Sequence, residues 1–343
     1  MKKISTVSIM TAAMLSMGNL HAVAQEFSWS YYGELPAGHD YMKAAQKTLD
    51  RINERTNGRL KITFSYYGET PYKVGDALSL VRDGLVDITG WLPSYSAGTF
   101  PMLAGPELPF ILDNLPDPAE GQALTDKAWQ SPIILSTVGT ILGNNNAVEV
   151  GSYYFEPMNL WFNTVIDGRP DMSGKKIRVF SPELAAMVSS LGGEPMNIDT
   201  TEVYTSLQRR VIDGVVTGIG TLTGQKLSEV LKSGYKTNIM YTSSKILVNS
   251  NKMAELPDDL KAVLTEEFNS LSQELRNYMV KSVEDKEETL KQMGVVIIPA
   301  EKAAYAEMRA TAKEAVWSEW VKRAGDKSSD ALTEIDAAVA AGK

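Results

Sequence analysis

The sequence predicts an α/β protein of two lobes, each a sheet flanked by helices, with one long helix bridging them. Three observations carry this. Strand and helix periodicities alternate from residue 27 to residue 89. A second helix–turn–strand unit, 206–213, aligns with 80–87. A stretch at 257–293 keeps apolar residues three, four or seven apart, as a long amphipathic helix does.

Residues 27–32 read as a strand rich in aromatics, followed by a loop at 33–38 that carries Pro36. Over 39–56, Tyr41 or Met42, Ala45, Leu49 and Ile52 recur at helical spacing, and Gly58 stands where a helix end favours left-handed backbone. Residues 60–66 read as a strand. Pro71 opens a second helix through Arg82, closed by Gly84, and 86–89 is a short strand. This order implies a parallel sheet with right-handed crossovers. Ligands on such sheets sit beyond the carboxyl ends of the strands, here at Tyr31-Tyr32 and at Gly90-Trp91-Leu92.

The middle of the chain repeats the idea. Residues 176–180 read as a strand behind Gly174, and Pro182 opens a helix to Leu191 closed by Gly192-Gly193. Thr201 caps a helix through Arg209, with Glu202 in its favourable first turn, and 211–216 is the next strand. Leu80-Val81-Arg82-Asp83-Gly84-Leu85-Val86-Asp87 and Ser206-Leu207-Gln208-Arg209-Arg210-Val211-Ile212-Asp213 match in helix, turn, branched pair and Asp. Two similar lobes explain the match, although such units are common in any α/β protein.

In the long stretch the apolar positions are Leu260, Leu264, Phe268, Leu271, Leu275, Met279, Val283, Leu290 and Met293. Pro257 suits the first helical position and Gly294 the stop. One helix there would be roughly 54 Å long, more than one small domain; periodicity does not separate it from two helices broken near Ser282. After Trp320 the chain is polar and alanine-rich, read as a short helix and a frayed end. The lobes expected are 25–151 with about 243–282, and 152–242 with about 283–343.

Composition narrows the chemistry. Of 343 residues 43% are hydrophobic and 22% charged, the balance of an ordinary globular protein. Lys2-Lys3, a mostly apolar run from Val7 to Met17 and Ala22-Val23-Ala24 make residues 1–24 a secretory signal peptide. A run of about 11 residues is too short for a bilayer that needs roughly 20. The product is expected free in a periplasm. The net charge is −8, more negative once the leader lysines are gone, which argues against nucleic acid or anionic membranes as partners. There is no cysteine, hence no disulfide, thiolate nucleophile or iron–sulfur cluster. Of the two histidines His21 falls in the leader, leaving His39 and no material for a Ser-His-Asp relay or a multi-histidine metal site. No P-loop, dinucleotide fingerprint or HExxH motif occurs. Binding is favoured over catalysis, with no catalytic residue, cofactor or metal expected.

Arg178 is distinct. It sits in the apolar frame Ile177-Arg178-Val179-Phe180, where a buried charge is costly unless paired. Its planar fork suits a carboxylate; an internal salt bridge or a solvent-facing position would explain it as well.

The ordered set Gly174-Lys175-Lys176-Ile177-Arg178-Val179, Leu191-Gly192-Gly193-Glu194-Pro195, Glu202-Val203-Tyr204-Thr205-Ser206-Leu207-Gln208 and Val211-Ile212-Asp213-Gly214 resembles the central signature of TRAP-transporter solute-binding proteins, the dicarboxylate-binding-receptor type. Gly84-Leu85-Val86-Asp87, Leu108-Pro109-Phe110, Gln225-Lys226 with Glu229-Val230, and Leu256-Pro257 with Asp259-Leu260 extend the likeness over nearly the whole mature chain.

The resemblance implies a two-lobed periplasmic-binding-protein fold. It implies closure of an interlobe cleft on a small organic anion, then delivery to small and large integral permease subunits for ion-gradient-driven uptake. It implies that Arg178 holds the ligand carboxylate. Three departures qualify it. Thr217 stands where many members carry a ligand-holding Asn. Glu156-Pro157-Met158-Asn159-Leu160-Trp161 lacks the second arginine of some members. Arg210 replaces a usual glycine at a helix end that calls for positive φ, at a cost of roughly 1 kcal/mol. A monocarboxylate or sulfonate is therefore expected rather than a C4-dicarboxylate. Trp91, Tyr32, Met158, Asn159 and Trp161 are expected around the rest of the ligand, and a monomer rather than a dimer. The rivals are a receptor for an ABC importer or sensor kinase, and a secreted hydrolase or lyase.

Overall fold

The structure, a computed structural model, describes residues 26–113 and 115–342; the expected leader lies outside them. Strands β1 (Phe27–Gly33), β2 (Leu60–Tyr66) and β3 (Ile88–Trp91) are parallel, with β1 in the middle. Helix α1 (Asp40–Arg55) starts on His39, whose Nδ1 accepts from the Tyr41 N–H. Helix α2 (Ala77–Arg82) is shorter than Pro71 suggests, because residues 74–76 first form a 3-10 turn. Helices α3 (Pro118–Trp129) and α4 (Pro132–Asn144) lead to β4 (Ala147–Tyr154).

The chain then enters a second sheet. Its strands are β5 (Met158–Phe162), β6 (Lys176–Val179), β7 (Glu194–Asn197), β8 (Gly214–Gly218) and β9 (Ser233–Lys236). Between them lie helices α5 (Pro182–Ser190), α6 (Val203–Gln208) and α7 (Ile219–Gly224). Strand β10 (Ser243–Asn249) returns to the first sheet, followed by α8 (Ser250–Glu255). Helix α9 (Asp258–Gln292) precedes β11 (Val296–Pro299) of the second sheet. The sheet orders are β2-β1-β3-β10-β4 and β11-β9-β5-β8-β6-β7.

The repeat seen in the sequence has a structural counterpart. Asp87 accepts from the Ser30 N–H and Asp213 from the Lys176 N–H, so each ties a parallel strand to its neighbour. Gly84 and Arg210 both have positive φ, 67° and 57°. After each, the next two N–H groups still bond one helix carbonyl, Leu80 O or Ser206 O. That helix-end geometry absorbs the branched pair, which is why β3 and β8 begin later than read. The cap of the helix read from Thr201 to Arg209 is also different: Asp199, rather than Thr201, caps the 3-10 turn at 200–202 that leads into α6, accepting from the Thr201 N–H at 3.0 Å.

Three passages join the sheets. Two are extended crossings, after β4 and before β10, and they hydrogen-bond to each other: Phe155 N–H to Thr242 O at 3.0 Å and Met158 N–H to Met240 O at 2.9 Å. The third is α9, one unbroken helix of 35 residues that packs on α1 and β4 of one sheet and on α7 and β11 of the other. Its buried stripe holds the predicted positions from Leu260 to Leu290, but Met293 is exposed at the C-cap and Pro257 is the N-cap.

The end of the chain departs from expectation. After α10 (Lys302–Ala312), helices α11 (Ser318–Ala324) and α12 (Ser328–Ala340) return to the first sheet's side. Trp320 Nε1 donates to Pro101 O at 2.7 Å. Ala331, Ile335 and Val339 are buried as α12 packs on α3 and α4. Apolar residues one helical turn apart give α12 a face to bury, so it does not fray; it packs on the helices of the first sheet, while Arg323 of α11 ion-pairs with Glu183 of α5 beside the second sheet.

Candidate ligand-binding site

Arg178 lies on β6 between β7 and β8, with a side chain almost wholly buried. Its Nε donates to Ile198 O at 3.0 Å and its Nη2 to Thr200 Oγ1 at 2.8 Å. The guanidinium carbon stands 5.5 Å from the Phe180 ring centroid. Both hydrogen-bond partners are neutral, so they orient the charge without cancelling it. The Asp199 carboxyl lies below its ordinary range: burial pushes it up, but hydrogen bonds from Tyr67 and Thr201 and the charge of Arg178 outweigh burial.

Arg178 lines a cavity between the sheets, at the carboxyl ends of β1, β3, β6, β7 and β8. Its empty volume is about 490 Å³, open mouth included. Leu35, Val74, Leu92, Tyr95, Phe155, Met158 and Phe180 make the walls largely apolar, with Glu34, Thr200, Thr217, Thr221 and Thr242 as polar points. A few convergent polar groups in an apolar cleft are the usual make-up of a small-molecule site. The walls touch at its rim: Tyr95 stacks on Phe180 at 5.2 Å and 10°, its phenol lies 3.3 Å from Thr200 Oγ1, and Tyr67 donates to Asp199.

Of the residues expected here, Arg178, Met158 and Thr217 come together. Four others stand behind the wall. Tyr32 donates to Tyr72 O at 2.9 Å, and Trp91 Nε1 to Ser96 Oγ at 2.9 Å. Trp161 Nε1 donates to Thr217 O at 3.0 Å. Asn159 Oδ1 accepts from the Thr237 and Asn238 N–H groups at 2.7 Å each. The cause on β5 is strand alternation: Met158 points one way, Asn159 and Trp161 the other.

Glu34 escaped the sequence reading. It directly follows the carboxyl end of β1, so the strand-end rule that singled out Tyr31-Tyr32 reaches it when extended by two residues. Its Oε1 accepts from Tyr153 and from Ser244 Oγ, the latter at 2.6 Å. Its Oε2 is buried without a hydrogen-bond partner among the described residues. Burial raises this carboxyl above its ordinary range, against the lowering effect of the two hydroxyls.

Residues 32–323 match the bacterial extracellular solute-binding proteins of family 7, the DctP family. The chain belongs to this family. The family 7 members are extracytoplasmic receptors that bind small organic acids and work with TRAP permeases; they are not enzymes. This family 7 chain is 26% identical over 303 residues to the 2,3-diketo-L-gulonate-binding periplasmic protein YiaO of Escherichia coli K12, covering 85% of this chain and 87% of that one. Its fold is that of DctP6, a Bordetella pertussis extracytoplasmic solute receptor binding pyroglutamic acid (20% identity, TM-score 0.80, covering 92% of this chain and 99% of that one). It is likewise that of a TRAP periplasmic solute-binding protein from Roseobacter denitrificans with bound L-galactonate (21%, TM-score 0.76, 90% and 99%). Among the described residues no helix is long and apolar enough to cross a membrane.

Proposed function

We propose that this receptor captures a small organic monoanion, a monocarboxylate or sulfonate in preference to a C4-dicarboxylate, and delivers it to the small and large integral subunits of a TRAP permease for ion-gradient-driven uptake. The observation that carries the reading is the charge balance of the cavity. Among the described residues that line it, Arg178 is the one base, opposed by one acid, in walls that are otherwise neutral. One guanidinium can pair with one carboxylate, and in a closed, poorly hydrated cleft that attraction is several times its value in water. Met158 and Thr217 contact the rest of the ligand, while Tyr32, Trp91, Asn159 and Trp161 hold the wall from behind.

The lobes supported by the packing are 25–151 with about 243–282 and the returning helices α11 and α12, and 152–242 with about 283–317. They close about the two extended crossings and α9, and a monomer suffices for the cycle. The E. coli relative and the two solved receptors bind organic acids, which agrees with this assignment. A thermal-shift screen of mono- and dicarboxylates tests it, since a ligand stabilises the folded form by RT ln(1 + [L]/Kd). The hit is expected among monoanions and is expected to be lost in Arg178→Ala. Undiminished affinity in that variant would overturn the assignment.

A further inference from the structure

Two residues that line the cavity each carry a buried side-chain oxygen with no partner among the described residues, Glu34 Oε2 and Thr242 Oγ1. Buried polar groups are nearly always satisfied, so each such atom asks for a partner from outside the chain. The site around Glu34 is built. Two hydroxyls, from Tyr153 and Ser244, fix Oε1. Oε2 lies over the Cα of Gly90, where any side-chain carbon would stand 1.8 Å from it. The strand therefore carries glycine where the carboxyl needs the space. Glu34 and Thr242 come from the first-sheet side of the cavity and Arg178 from the second.

We propose that Glu34 is a specificity-determining residue: the ligand whose anion Arg178 holds presents a neutral hydroxyl or N–H group to Glu34 Oε2, and a second carboxylate is refused there. This rests on the reading of Arg178 as the anion anchor. A hydroxyl suits the niche best, because it donates to Glu34 and accepts from Thr242. A second carboxylate offers neither oxygen a donor when ionised, and among the described residues that line the cavity no second cation stands beside Arg178 to receive it. A buried charge without a counter-charge is costly. The ligand is then a hydroxy- or N–H-bearing monocarboxylate, and not any small organic acid.

The test is calorimetric titration with matched probes: L-galactonate against galactarate, 3-hydroxyphenylacetate against phenylacetate, and L-pyroglutamate against succinate. The wild type is expected to favour the first of each pair about ten-fold or more, because a site built for a hydroxyl rejects the analogue that lacks it. Glu34→Gln, nearly isosteric, is expected to bring the ratios within about three-fold, with the ligand-free melting temperature measured alongside. Wild-type preference for the dicarboxylates needs no variant and would overturn the proposal. So would unchanged ratios in Glu34→Gln. Arg178→Ala separates the two readings: loss of all binding there with unchanged ratios in Glu34→Gln sinks Glu34 alone, whereas intact binding there sinks the anchor.

Discussion

The guanidinium of Arg178 donates to the hydroxyl of Thr200 at 2.8 Å, and that hydroxyl lies 3.3 Å from the phenol of Tyr95 on the opposite wall. The proposed anion anchor and the contact between walls thus share an atom. Phe180 repeats the arrangement, with the guanidinium over its ring and Tyr95 stacked on it. In the proposed cycle these two residues couple closure to ligand capture: positioning the guanidinium also positions the surface against which Tyr95 rests.

Arg178→Lys is expected to weaken ligand binding about 100-fold or more. An ammonium has no planar fork to hold Ile198 O, Thr200 Oγ1 and a carboxylate together, and truncating one partner of a buried charge pair costs about 2–5 kcal/mol. Titration calorimetry reads the change, and the unliganded melting temperature reports whether the fold is intact.

Tyr95→Ala removes the stack and the hydroxyl contact while leaving Arg178 untouched. An aromatic pair contributes about 0.5–1.5 kcal/mol beyond its area, so affinity is expected to fall several-fold, chiefly through faster release. Stopped-flow dissociation separates this from a lost anchor. An unchanged release rate would mean that the rim contact does not hold the closed form.

Much of the fold was legible because periodicity and punctuation agreed. β1 and β2 fall where alternation puts them, α5 follows Pro182, and α9 is a single helix because its apolar stripe never changes phase at Ser282. The antiparallel strands β4, β5 and β10 were not read, since nearly continuous burial on β5 and β10 erases the alternation. Of the site, Arg178 stood out because a charge in an apolar strand is anomalous. Glu34 did not, because the residues that bury it, Gly90, Tyr153 and Ser244, are distant in sequence. The tryptophans misled for the opposite reason: a large aromatic is core material until the fold places its indole N–H.

Lys286 of α9 donates to Glu156 at 2.6 Å, and Glu156 sits in the first extended crossing. Ser282 adds a hydroxyl at 3.2 Å. Lys286→Met leaves a carboxylate that is 1% exposed without its counter-charge, a loss of about 3–5 kcal/mol. The melting temperature is expected to fall by roughly 5–10 °C. The double variant Lys286→Met, Glu156→Gln is expected to recover most of it, because the pair is coupled. Equal melting temperatures for the single and double variants would show that the carboxylate does not depend on this lysine.

Two buried groups give opposite pH windows. Burial lowers His39 from 6.5 to about 4, against the attraction of Glu156, so its neutral form belongs to the fold. Its contribution is complete above pH 6.5 and is lost as pH falls towards 4. Burial raises Glu107 from 4.5 to about 7, against hydrogen bonds from Ser243 and the charge of Lys245. Its contribution is complete below pH 4.5 and is lost as pH rises through 7. Between pH 4.5 and 6.5 the folded state binds fewer protons than the unfolded chain at His39 and more at Glu107, so the two slopes partly cancel. Glu107→Gln removes the falling slope. Stability of that variant is expected to climb more steeply with pH, by up to about 1.4 kcal/mol per pH unit. His39→Asn keeps a helix-capping acceptor and removes the rising slope instead, so stability of that variant is expected to fall with pH across the same window as Glu107 gives up its proton. Denaturant midpoints at pH 4.5, 5.5 and 6.5 decide the matter: parallel profiles for the wild type and Glu107→Gln would mean that Glu107 titrates in the fold as it does in the unfolded chain.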